Sequence, residues 1–139
     1  MYILKTKKSF DAAHFLAGYE GKCKNIHGHR WNVEIEIKSE TLEKEGQLRG
    51  MCVDFSTLKA ELEEETEYFD HSLIVEKGVL KDKTLEALNE EEFNIKIVEF
   101  RPTAENFAKY FYDRFKAKGY MVDRATVYET PSNCAAYTE

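Results

Sequence analysis

The stretch HGHRWNVEIEIKS, His27 to Ser39, decides the fold. From Trp31 onward it alternates strictly: Val33, Ile35 and Ile37 fall on one side, Asn32, Glu34, Glu36 and Lys38 on the other. A period of two with one apolar side is the signature of a half-buried strand. Carried backwards, the same parity puts His27, His29 and Trp31 on the apolar face. Two imidazoles then point inward, side by side, at the start of the strand. They account for half of the four histidines in the chain.

The rest of the chain is read outward from this strand. ILKTKKSFDAAH is an earlier strand, with Leu4, Phe10, Ala12 and His14 at matching parity. QLRGMCVDF reads as a third strand after a turn near Gly46, with Cys52 packed inside it as a small apolar residue. After Phe55 the period becomes helical through Leu58, Leu62 and Phe69, with Ser56 as N-cap. Glu61, Glu63, Glu64 and Glu65 form its solvated acidic face, and FDHSLIVEKG ends it. Residues 79–93 are charged, with Leu80, Leu85 and Leu88 as weak helical anchors. NIKIVEF is a short strand. RPTAENFAKYFYDRF starts a helix capped by Thr103, with Phe107, Phe111 and Phe115 as a core stripe. DRATVYET closes the sheet, with Ala125, Val127 and Glu129 on one face. The order predicts one α+β domain over residues 1–139, an antiparallel sheet carrying helices on one side.

Bulk properties narrow the function classes. Hydrophobic residues make up 42% and charged residues 33% of the chain. No apolar run approaches the ~18–20 residues of a membrane span, and the N-terminus lacks the features of a signal peptide, so a cytoplasmic protein without a membrane partner is expected. The net charge of −6 argues against nucleic acid held on a broad basic face. Lys5, Lys7, Lys8, Lys22, Lys24 and Arg30 are either solvated charge or a docking patch for an anionic small molecule. Three cysteines, Cys23, Cys52 and Cys134, do not make a disulfide framework.

Reactive groups concentrate in CKNIHGH, Cys23 to His29. His27 and His29 at i, i+2 on a strand reach one metal ion, and His14 on the neighbouring strand supplies a third nitrogen. Three imidazoles leave one tetrahedral position open, the form of a catalytic zinc site. Cys23 just upstream, with Asp70–His71, offers the parts of a proton relay. Adjacent residues on an extended chain point opposite ways, so Asp70 and His71 need not bond to each other. Glu129, inward-facing on the last strand, requires a partner. That partner is a lysine or arginine of the chain, or the guanidine-like edge of a ligand such as a pterin.

SFDAAHFL, CKNIHGH, CVDFSTLK, FDHSL, RPTAEN and VYETPSNCAAY occur in an order that resembles the 6-pyruvoyl tetrahydropterin synthase family, over about residues 2–137. The resemblance implies Zn²⁺ on His14, His27 and His29, and a proton-transfer triad of Cys23, Asp70 and His71. It implies that Glu129 joins the catalytic set as anchor of the pterin ring, with Thr103 beside it in substrate binding. It also implies the tunnelling fold: a four-stranded antiparallel sheet with two helices on one face. Three subunits of that fold close a barrel, and two trimers stack into a homo-hexamer whose active sites are shared between subunits. The spacing C-x3-H-G-H is similar to the branch that forms 6-carboxy-5,6,7,8-tetrahydropterin, acetaldehyde and triphosphate from 7,8-dihydroneopterin triphosphate, on the way to queuosine and other 7-deazapurines. The pyruvoyl-forming branch has a longer gap, and a third branch carries glutamate in place of the cysteine. A non-catalytic, zinc-stabilised pterin-binding oligomer is the reading from another class. The segment from Glu76 to Asn94 is longer than the family pattern.

Overall fold

The computed structural model describes all 139 residues. Its centre is a long antiparallel pair, β1 (Tyr2–His14) and β2 (His27–Ser39), in register from Tyr2 opposite Ser39 to His14 opposite His27. β5 (Val122–Thr130) pairs antiparallel with β2, and β6 (Asn133–Tyr137) with β5. On the other flank β3 (Ser72–Glu76) runs parallel to β1, and β4 (Ile95–Val98) parallel to β3. The sheet therefore has six strands, ordered β4-β3-β1-β2-β5-β6, where the family resemblance implied four antiparallel ones.

Two helices, α1 (Phe55–Glu67) and α3 (Ala104–Ala117), cover one face of the sheet, as expected. Phe107, Phe111 and Phe115 of α3 and Leu58 and Leu62 of α1 are fully buried with Phe10, Trp31, Val33, Ile35 and Val127. Cutting a buried phenylalanine such as Phe107 to alanine removes about 3–5 kcal/mol of stability. A third helix, α2 (Asp82–Glu90), occupies the long segment between β3 and β4 and buries no residue of its own. No helix is long and apolar enough to cross a membrane.

Five local readings are corrected. Gln47–Phe55 is not a strand, because Gly46 and Gly50 take φ of 76° and 82° and coil the segment into turns, leaving Cys52 half-buried there. The N-cap of α1 is Asp54, whose carboxylate accepts the Ser56 N–H at 2.8 Å. Helix α1 stops at Glu67, and the SLIVE half of FDHSLIVEKG becomes β3, whose Ile74 and Val75 are buried. Glu65 is buried rather than solvated, and Arg114 satisfies it with two bonds of 2.9 Å. The tail holding Cys134 forms β6, where the Thr130 hydroxyl accepts the Asn133 N–H at 3.1 Å and closes the turn.

Candidate active site

The register that places His14 opposite His27, and Ala12 opposite His29, brings three imidazoles to one end of the central hairpin. Their ring centroids lie 4.6 Å (His14–His27), 5.2 Å (His14–His29) and 5.0 Å (His27–His29) apart. One nitrogen from each falls within 4.8 Å of the others, so the three can hold a metal ion. Backbone carbonyls fix two of the rings: His14 Nδ1 bonds Pro102 O and His27 Nδ1 bonds Asn25 O, each at 2.7 Å. Each ring then donates from Nδ1, which leaves Nε2 as the lone-pair nitrogen, the arrangement that metal-binding histidines use.

The donor set fits a metal. His14 Nε2 and His29 Nε2 are buried and have no hydrogen-bond partner. An unpaired buried polar atom costs about 1–3 kcal/mol, and a bound cation would remove that cost. Burial holds the His14 pKa down to about 4, against the opposing pull of the Pro102 bond. His29 is also lowered, first by burial, with Glu129 opposing. Both imidazoles are neutral at pH 7, the form that binds metals.

Glu129 sits at the rim of this cluster, its Oε1 3.4 Å from His29 Nε2. That neutral imidazole is the only basic side chain within ion-pairing distance, so no lysine or arginine neutralises the carboxylate. Of the two partners considered for this carboxylate, the in-chain cation is absent. Thr103 caps α3 by accepting the Asn106 N–H on its hydroxyl at 3.3 Å, which leaves its own O–H free to donate.

Cys23 lies half-buried in a single 3-10 turn, Lys22–Lys24. Asn25 ties this turn to the histidines: its side chain donates to Lys22 O at 3.1 Å while its carbonyl holds His27. The spacing inside CKNIHGH is thus a mechanical link from the thiol turn to a ligand ring. The basic residues divide. Lys5 pairs with Glu34 and Glu36, and Lys8 with Glu63, whereas Lys22 and Lys24 stay exposed beside the thiol.

Asp70 and His71 do bond to each other, contrary to the extended-chain expectation. His71 takes φ of 54°, a left-handed turn that brings its Nδ1 2.7 Å from Asp70 Oδ2. Asp11 clamps the pair from its backbone: its N–H donates to Asp70 Oδ1 at 2.8 Å and its carbonyl accepts the His71 N–H at 2.7 Å. The bond from the Asp11 N–H is the main cause of the lowered Asp70 pKa, which keeps the carboxylate ionised. The side chain of Asp11 pairs with Arg30 through bonds of 2.9 and 3.1 Å. His71 lines an open depression with His29, Gly28, Arg30 and Ser72, and its side chain is 80% exposed. Within one chain the dyad makes no hydrogen bond or ion pair to Cys23 or to the three histidines. Asn25, Pro102 and Asp11 escaped the sequence reading because each acts through its main chain.

An α+β sheet with a three-histidine cluster able to hold a metal ion, a carboxylate without a lysine or arginine partner and an Asp–His pair is the framework of a metal-dependent enzyme, and comparison with known proteins gives the family. The model of the 6-pyruvoyl tetrahydropterin synthase family matches residues 3–139, and the chain belongs to that family. A protein of Haemophilus influenzae named 6-carboxy-5,6,7,8-tetrahydropterin synthase is 32% identical over 145 residues, covering 100% of both chains. Its namesake in Rickettsia bellii is 35% identical over 133 residues, 90% of this chain and 91% of that one. Among solved structures, 6-pyruvoyl tetrahydropterin synthase of Caenorhabditis elegans superposes with a TM-score of 0.69 at 24% identity, over 99% of this chain and 95% of that one. An uncharacterized protein of Wolinella succinogenes gives 0.71 at 20% identity, over 100% and 99%. These likenesses establish the tunnelling fold.

Proposed function

We propose that this chain is a zinc-dependent carbon–carbon lyase. It would convert 7,8-dihydroneopterin triphosphate and one water into 6-carboxy-5,6,7,8-tetrahydropterin, acetaldehyde and triphosphate. The product would enter 7-deazapurine synthesis. The observation that carries the reading is the buried pair of partnerless nitrogens, His14 Nε2 and His29 Nε2, beside a carboxylate with no cation of its own. The names of the full-length relatives from Haemophilus influenzae and Rickettsia bellii support the carboxy product.

His14, His27 and His29 would hold Zn²⁺, which as a Lewis acid polarises the hydroxyl oxygens of the substrate side chain when bound. Glu129 accepts two parallel N–H bonds from the pterin edge, a charge-assisted contact that fixes the ring. Thr103 adds its free hydroxyl. Cys23 as thiolate takes a proton from the substrate side chain. His71 gives and takes protons at Nε2, because its Nδ1–H is committed to Asp70. The exposed dyad acts in the site of a neighbouring copy, and we propose a hexamer of two trimers with shared sites. Strand edges at β4 and β6 call for such partners.

The test is to incubate the zinc-loaded protein with 7,8-dihydroneopterin triphosphate and identify every product by mass spectrometry. Carboxytetrahydropterin with stoichiometric acetaldehyde supports the reading. A pyruvoyl product with no carbon lost assigns the chain to the sister reaction, and intact substrate leaves only a pterin-binding module.

A further inference from the structure

The segment Arg101–Pro102–Thr103 meets the site three times. Pro102 orients His14 through its carbonyl, and Thr103 caps α3 at the pterin end. Arg101 does something different. Arg30, Arg114 and Arg124 pair with carboxylates, but Arg101 directs its guanidinium at the loop that carries Cys23. Its Nη2 donates to Ala17 O at 3.2 Å, and its guanidinium carbon lies 5.8 Å from the centroid of the Tyr19 ring. The arginine is itself held from behind. Its carbonyl accepts the Thr103 N–H at 2.8 Å and the Asn106 side chain at 2.9 Å, both at the N-terminus of a buried helix.

The loop closes on the thiol from the other side. Leu16 N–H donates to Cys23 O at 2.8 Å, so the residue next to Ala17 is bonded to the cysteine itself. The Tyr19 ring lies close against Gly21, the residue before the thiol turn: a Cβ there would stand 2.7 Å from Tyr19 Cε1. Residues 15–26 contain no other regular structure than the 3-10 turn, and Gly18, Tyr19 and Glu20 are exposed. Such a loop wanders unless tied down, and a reacting group that is misplaced by about 1 Å loses on the order of a hundredfold in rate.

We infer that Arg101 is a positioning residue: it straps the Leu16–Cys23 loop to the start of α3 through Ala17 and Tyr19, and so sets where the Cys23 thiol sits. The inference rests on the proposed role of Cys23 in turnover, but the strap itself is testable without turnover. The guanidinium serves both contacts at once, near the Tyr19 ring and on the Ala17 carbonyl, which a lysine ammonium reproduces only in part.

The experiment compares wild type, Arg101→Ala, Arg101→Lys and Tyr19→Ala, all zinc-loaded. Arg101→Ala should lower kcat about ten- to hundredfold, with KM held within about twofold, the pattern of an interaction felt at the reacting group and not in uniform binding. In a Cys23→Ala background the same substitution should cost nothing further, because it acts through the thiol. Arg101→Lys should recover part of kcat. Tyr19→Ala, an exposed change that leaves the core intact, should reproduce the loss if Arg101→Ala folds poorly. A KM rise at constant kcat would make Arg101 a direct phosphate contact and overturn the strap. An equal loss in the Cys23→Ala background would overturn it too. Hydrogen exchange of the Leu16 amide decides the matter independently: protection lost in Arg101→Ala and Tyr19→Ala while β2 stays protected supports the strap, and unchanged protection refutes it. If wild type shows no turnover but the exchange result stands, the functional reading fails and the strap survives.

Discussion

The three-histidine end of the central hairpin and the Asp70–His71 turn carry the same kind of side chain in opposite states. His14 is 1% exposed, its ring is locked by a carbonyl, and its pKa is pressed to about 4. His71 stands 80% exposed on a left-handed turn, oriented only through Asp70 and the backbone of Asp11. The first region is finished within one chain, because cross-strand register alone assembles it. The second is aimed outward and leaves half of its hydrogen-bonding capacity unused. A single fold has thus completed a three-histidine cluster able to hold a metal ion within one chain, and has left exposed the Asp–His pair that we propose acts with a neighbour.

Removing a metal ligand should have the largest effect. His27→Ala, at a half-buried position that opens little void, should lose its metal and bring turnover to background while the fold persists. Elemental analysis with circular dichroism checks both halves, and full metal occupancy in the variant would separate the cluster from metal binding. Next come Cys23 and His71, the proposed proton-transfer groups. Cys23→Ala and His71→Ala should each cost ~10²–10⁴-fold in turnover. Mixed and reassorted, they should regain activity, since some sites receive an intact thiol and an intact dyad. Verified subunit exchange with no recovery would place both halves in one chain and erase the contrast.

A third test sharpens the contrast through pH. His14 has a folded pKa of about 4, below the ordinary 6.5, so between those values the unfolded chain binds a proton that the folded chain refuses. Stability of the metal-free protein is therefore full above pH 6.5 and falls as pH drops toward 4, by up to about 3 kcal/mol. His29 moves the same way. Urea unfolding of metal-stripped protein at pH 7 and pH 4.5 measures it, and a flat profile would mean that the rings are better solvated than the geometry implies. The smallest expected effect belongs to the rim. Glu129→Gln keeps the shape and loses the charge, and should weaken pterin binding by ~1.5–3 kcal/mol. Calorimetric titration with a pterin decides it, and an unchanged Kd would remove Glu129 from the ring-binding role.

Much of this molecule was legible in residue order. The alternation from Trp31 to Lys38 fixed which side of β2 is buried, and its backward extension put His27 and His29 on that side. The stripe Phe107, Phe111, Phe115 fixed α3, and Thr103 its start. Each of these is a local period, repeated within a dozen residues, so side-chain chemistry alone records it. Other features had no such record. Gln47–Phe55 reads as a strand, but Gly46 and Gly50 coil it and no neighbouring strand pairs with it. β3, read as a helix end, became a strand because a parallel edge beside β1 was available to it, whereas β4 was already legible as the short strand NIKIVEF. The groups that orient the site lie furthest beyond the reach of sequence. His14 is held by a carbonyl 88 residues away, and Asp70 by an amide 59 residues away. Every residue except proline carries the same main-chain donor, and every residue the same acceptor, so no residue type marks the ones that matter. Only the packing of α3 and β3 against β1 selects them.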